Sequence, residues 1–116
     1  LIDIYPTLTE LCGLPTPEEL EGESLVPLLK NSEAKRTTPA ISSLTPEFHS
    51  VRDEQFRYIT YGNGQEELYD HKSDPNEWIN LAEDPKLIEI KERLKKFVPE
   101  NPAQEIKGIY NEQNGD

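Results

Sequence analysis

Apolar and polar positions along this chain follow two different spacings, and the change between them divides it. From Phe56 to Tyr61 aromatic and β-branched residues crowd together, Glu66 to Asp70 forms a second short run, and Gly62-Asn63-Gly64-Gln65 between them tolerates positive φ. That order predicts an antiparallel hairpin turning at Gly62 to Gln65. His49 to Asp53 reads as the preceding strand, joined to Phe56 through Glu54 and Gln55. Pro39 to Leu44 reads as another, with Ile41 as its one firm apolar contact and Thr45-Pro46-Glu47 as the turn that follows.

Helical spacing flanks these strands. Ile4, Leu8 and Leu11 recur at i, i+4 and i+7, Asp3 can cap the start, Pro6 sits in the first turn and Gly13 suits a helix end, so Asp3 to Cys12 is predicted to be a short helix. Thr16-Pro17-Glu18-Glu19 predicts one more turn to Leu20, and Ser24 with Leu25, Pro27, Leu28 and Leu29 a third short helix. Asn31 to Thr38 reads as a surface loop. After the hairpin, Asp74-Pro75-Asn76-Glu77 has the order of a capping box and predicts a helical turn carrying Trp78 and Leu81 inward. From Asp84-Pro85 the chain shows its longest apolar stripe, Leu87, Ile90, Leu94 and Phe97 or Val98, with Glu89/Arg93 and Glu92/Lys96 as i,i+4 pairs and Pro99 as the stop. The fold class is therefore α+β: a small three- to four-stranded antiparallel sheet packed against a C-terminal helix and preceded by short helices. Residues 1–38 form the helical segment, 39–99 the sheet and helix, and 100–116 a polar tail that is poorly ordered or packs elsewhere.

Composition narrows the functions open to such a chain. Its 116 residues suffice for one small core, and a hydrophobic fraction of 34% makes that core thin. Mean hydropathy is −0.77. A net charge of −11 argues against non-specific binding to nucleic acid or to an anionic membrane, and no apolar run approaches the ~20 residues of a membrane span. The single cysteine, Cys12, permits no intrachain disulfide and continues the apolar side of the first helix as a small buried side chain. A chain opening Leu1-Ile2-Asp3-Ile4 and lacking methionine reads as a piece of something longer.

The run RYITYGNGQEELYDHKSDPNEWINLA, from Arg57 to Ala82, resembles the C-terminal region of the formylglycine-dependent sulfatases, in particular the branch similar to iduronate-2-sulfatase, where an R-Y-I, E-L-Y-D, D-P-x-E-x-x-N-L order recurs. LIDIYPTLTELCGLP at the start and LEGESLVPLL after it are similar to the segment that precedes this region in those enzymes, so the resemblance covers roughly residues 1 to 98. It implies the C-terminal subdomain of an alkaline-phosphatase-like fold and a parent enzyme that hydrolyses sulfate esters, such as those of sulfated glycans. It also implies a missing N-terminal domain as partner, which would bring Ca²⁺ and formylglycine, and a periplasmic, secreted or lysosomal setting. A non-catalytic binding or interaction module derived from the same subdomain is the alternative, and a purely structural lid a third.

No catalytic residue carries over. The modification motif is C/S-x-P-x-R, whereas Cys12-Gly13-Leu14-Pro15-Thr16 places proline one position late and has no arginine. By resemblance His49-Ser50-Val51-Arg52 matches the strand entry of the family, and His49 and Arg52 have the chemistry to hold a sulfated or carboxylated sugar. Strand alternation sets these two on opposite faces, which also allows a structural salt bridge for Arg52. His71 reads as a lone exposed loop histidine, and Glu66, Glu67, Asp70 and Asp74 as capping and solvated carboxylates, since they lack the glycine placement of a calcium loop.

Overall fold

Four strands, β1 (Ala40–Thr45), β2 (Phe48–Arg52), β3 (Phe56–Thr60) and β4 (Glu66–Asp70), form one antiparallel meander in the order β1-β2-β3-β4. The computed structural model describes residues 1–102, and the tail reading for 103–116 lies outside the described residues. The β3–β4 turn falls where expected: Tyr61 N–H donates to Gln65 O and Gly64 N–H to Tyr61 O, both at 3.0 Å, with Gly64 at φ +83. At the β2–β3 turn Asp53 Oδ1 accepts from Gln55 N–H at 2.9 Å and Phe56 N–H at 2.6 Å, the bonding of an Asx turn.

Pairing places Val51 opposite Tyr58 and Tyr58 opposite Leu68, and all three are fully buried. This row is the floor of the core. After a 3₁₀ turn at Pro85–Leu87, helix α3 (Ile88–Lys95) lays fully buried Leu94 into the same cluster, with Leu81, Leu87, Ile90, Phe97 and Val98 packed around it. Asp84 caps that start, its carboxylate accepting from Lys86 N–H at 2.9 Å. The i,i+4 pairs expected along the helix give way to bonds with the sheet. Glu66 receives Lys95 Nζ at 2.7 Å, Lys91 Nζ at 3.0 Å and the Tyr58 hydroxyl at 2.6 Å, while Arg93 reaches Asp53 at 2.6 Å. Bonds from Lys95 and Tyr58 outweigh the cost of burial and hold the Glu66 carboxyl at about 2.

The free edge of β4 is covered by its own chain. Leu68 N–H donates to Asn80 Oδ1 at 3.0 Å, Leu81 N–H donates to Leu68 O at 2.8 Å, and Asn80 Nδ2 donates to Glu66 O at 3.1 Å. This docking turns Leu81 and Ala82 to the core, but Trp78 lies 82% exposed, contrary to the expected inward helical turn. Glu77 adopts φ +58, which a helix cannot accommodate, and Asp74 accepts from Ile79 N–H at 2.8 Å instead of capping a helix. β1 is exposed throughout, so Ile41 is not the firm contact expected of it.

Leu1–Thr38 form a separate compact unit. It holds α1 (Ile4–Leu11) and α2 (Val26–Lys30), and the turn expected up to Leu20 is present as a single turn, Leu20 N–H donating to Pro17 O at 3.4 Å, which does not extend into a helix. α1 buries Pro6, Thr7 and Thr9 and leaves Ile4, Leu8 and Leu11 more than half exposed. Polar bonds explain the choice of face. Thr7 Oγ1 donates to Asp3 O at 2.6 Å and accepts from Leu25 N–H at 2.9 Å, and Thr9 and Thr16 share a hydrogen bond of 2.9 Å. Asp3 does not cap α1; its carboxylate accepts from Glu23 N–H at 2.9 Å and from Arg36 at 3.0 Å. Cys12 is exposed, not buried, because it follows the outward face.

Truncating Leu94 to Ala removes the helix side of the core and is expected to cost about 2–4 kcal/mol in denaturant unfolding; a loss below about 1 kcal/mol would contradict the packing. Gly64→Val forces a β-branched side chain to positive φ and should cost about 1–3 kcal/mol, seen as a lower thermal midpoint. Because the Glu66 carboxyl lies below its ordinary value in the folded chain, its stabilisation is present above pH ~4.5 and lost as pH falls toward 2. Glu66→Gln should therefore flatten the acid limb of the stability curve.

Candidate functional site

The face of the sheet away from Leu94 carries charge. Arg52 stands directly opposite Arg57 in the β2–β3 register, and Arg57 opposite Tyr69 across β3–β4. Two guanidinium groups side by side on adjacent strands repel unless counter-charge is supplied. Arg57 has its own: NH1 reaches both oxygens of Glu77 at 3.0 and 3.2 Å, and Nε donates to Ser50 Oγ at 3.0 Å. Arg52 is exposed and makes no ion pair or side-chain hydrogen bond among the described residues.

The loop after β4 closes this site from one side. His71 N–H donates to Gln55 O at 2.8 Å, and its Nε2 lies 2.6 Å from Glu77 Oε1. Its side chain is only 13% exposed and its Nδ1 is buried with no partner among the described residues, so His71 is held against Glu77 by a short hydrogen bond and is not the free loop histidine expected. Burial opposes ionisation of Glu77, but bonds from His71 and Arg57 hold its carboxyl below the usual range. Arg52, Arg57, His71, Pro75, Asn76 and Glu77 together line an open cleft of about 510 Å³.

His49 lies elsewhere. It is 4% exposed on the inward face beside Val51, with Nδ1 2.8 Å from Ser43 Oγ and Nε2 3.0 Å from Pro46 O, so both ring nitrogens are engaged in holding the β1–β2 hairpin. His49 and Arg52 thus share no surface. Glu77 and Arg57 were not foreseen as site residues; the Asp53–Gln55 turn was the available signal, since a tight turn there must set Arg52 across from Arg57 on one face. Among the described residues no three His, Cys, Asp or Glu side chains are grouped to hold a metal ion.

Residues 1–104 match the family model described as N-sulphoglucosamine sulphohydrolase, C-terminal. The chain belongs to this family of sulfatase C-terminal domains. A sulfatase of Formosa agariphila is 42% identical over 103 residues, which make up 89% of this chain and 20% of that protein. The Delta 4,5-hexuronate-2-O-sulfatase of Bacteroides thetaiotaomicron is 41% identical over 102 residues, 77% of this chain and 20% of its own length. The solved structure of a 2-O GAG sulfatase matches with a TM-score of 0.67 at 35% identity, over 81% of this chain and 22% of its own. The sulfatase C-terminal assignment and its α+β fold, expected from the hairpin motif, are borne out. This chain spans about one fifth of the length of these curated relatives.

Glu77→Gln keeps the shape of the loop but removes the charge shared by Arg57 and His71. With Arg57 a third exposed, the expected loss is about 1 kcal/mol at neutral pH. Glu77 ionises more readily in the folded chain, so the gap between wild type and variant should be full above pH ~4.5 and close as the pH falls below it. A gap that persists at pH 3 would assign the effect to packing.

Proposed function

We propose that this domain completes a sulfatase acting on sulfated glycans and does not itself contain the centre of hydrolysis. The observation that carries this reading is the 41% identity to a hexuronate-2-O-sulfatase across 77% of the chain. In such an enzyme the remaining four fifths would supply the formylglycine, which attacks sulfur, and a Ca²⁺ that neutralises the sulfate oxygens. The residues here would support the fold and contact the sugar. Of His49 and Arg52, Arg52 has the guanidinium without a partner among the described residues, and His49 positions the hairpin that carries it.

The helical unit supports a role as one part of a larger body. Leu1, Ile2, Ile4, Tyr5, Leu8 and Leu11 are each more than half exposed, an apolar surface of the kind that marks an interface. In this reading the rest of the sulfatase covers it.

Expressing the complete reading frame tests the proposal. A C/S-x-P-x-R motif upstream of Leu1 and release of sulfate from a sulfated hexuronate disaccharide are expected, with no release by the 116-residue chain alone. A frame without the motif, or a full-length protein that binds the disaccharide and releases nothing, would favour a binding module. The chain alone should also bind a hydrophobic dye, and supplying the upstream portion should abolish that signal.

A further inference from the structure

We infer that the cleft bounded by Arg52, Arg57, His71 and Glu77 is a subsite for an anionic substituent of a sugar, either a carboxylate or a sulfate ester, with Arg52 as its primary ligand. This rests on the reading of the parent protein as a glycan sulfatase and adds the place and chemistry of one contact. Four observations meet there. The cross-strand Arg52–Arg57 pair places two positive charges side by side, and only Arg57 has a counter-charge, Glu77. With two arginines against one carboxylate the cleft is net positive in a chain of net charge −11. A planar guanidinium presents paired donors that match the oxygens of a carboxylate or sulfate, so an anion here would supply the charge that Arg52 lacks. Its volume of about 510 Å³ falls within the ~300–1,000 Å³ of small-molecule sites.

The wall of the cleft is built at a cost that packing alone does not require. Glu77 holds φ +58, a conformation that is unfavourable for any residue with a Cβ, and its carboxylate in this geometry meets Arg57 and His71. Those bonds immobilise the Arg57 side of the cleft and leave Arg52 as the free donor. Asn76 contributes an amide on the same wall, and Trp78, 82% exposed, follows Glu77 directly.

The test uses the full-length protein that carries this chain and a sulfated hexuronate disaccharide. Arg52→Gln should raise KM about 10-fold with kcat changed less than about 2-fold, the signature of lost uniform binding, and Arg52→Lys should recover part of the loss. Equilibrium dialysis of the same disaccharide should show the same loss of affinity. Sodium glucuronate and sodium sulfate, used as competitors, identify the group that occupies the cleft, and failure of both to displace the disaccharide overturns the proposal. An unchanged KM also overturns it, as does a joint fall in kcat and thermal midpoint, which would make Arg52 the partner of a carboxylate of the protein. Arg52-dependent binding without sulfate release keeps the cleft and rejects the hydrolase. Sulfate release with equal affinity in wild type and Arg52→Gln does the reverse.

Discussion

One buried row decides what the sheet can present. Val51, Tyr58 and Leu68 occupy paired positions on three strands, and Leu94 closes over them. A slip of one residue between β2 and β3 would exchange their faces, sending Arg52 or Arg57 into an apolar core with no counter-charge. Burial on one side therefore sets the register, and the register sets two arginines opposite each other on the other side. The ionic clamp of Glu66 with Tyr58, Lys91 and Lys95 adds direction to this packing, since it fixes where along the sheet α3 comes down.

Strand and helix positions were largely legible because their signals are local. The Gly62–Gln65 turn, the alternation through β2 and β3, and the stripe from Leu87 to Phe97 each needed only a short window. What was not legible depended on partners distant in sequence. Glu77 carries the spacing of a capping box, yet its carboxylate goes 20 positions back to Arg57, and that bond overrides the local preference for a helical turn. The apolar stripe of α1 predicted a helix, and what stayed out of reach was the polar interior behind it, because hydroxyls of Thr7 and Thr9 and the Asp3 carboxylate organise that interior through residues 16, 23, 25 and 36. Cys12 and Trp78 depart from expectation for the same reason: a small or aromatic residue reads locally as core, while the chain has other bonds to make there.

The two units use charge in different ways. In Leu1–Thr38, Asp3 and Glu23 accept from Arg36, Thr37 and Thr38, so the polar stretch expected to be a loose surface loop is tied back by its own side chains. In the sheet unit, carboxylates serve as joints between elements: Asp53 between a turn and α3, Glu66 between β4 and α3, Glu77 between the loop and β3. An acidic composition thus does more here than keep the chain soluble, since each of these joints consumes a basic partner. Of the four arginines, Arg36, Arg57 and Arg93 each meet a carboxylate, and Arg52 does not among the described residues.

The docking of Asn80 and Leu81 along β4 makes the sheet one-ended. With the β4 edge occupied by a side-chain amide and a backbone N–H, a further strand could not pair there without first displacing the chain's own segment. β1, at the other end of the order, has no strand partner on its outer side among the described residues. Among the described residues, growth of the sheet, whether by a strand from elsewhere in a longer protein or by a neighbouring molecule at high concentration, is consequently polar: it begins at Ala40–Thr45 and proceeds outward in a single direction.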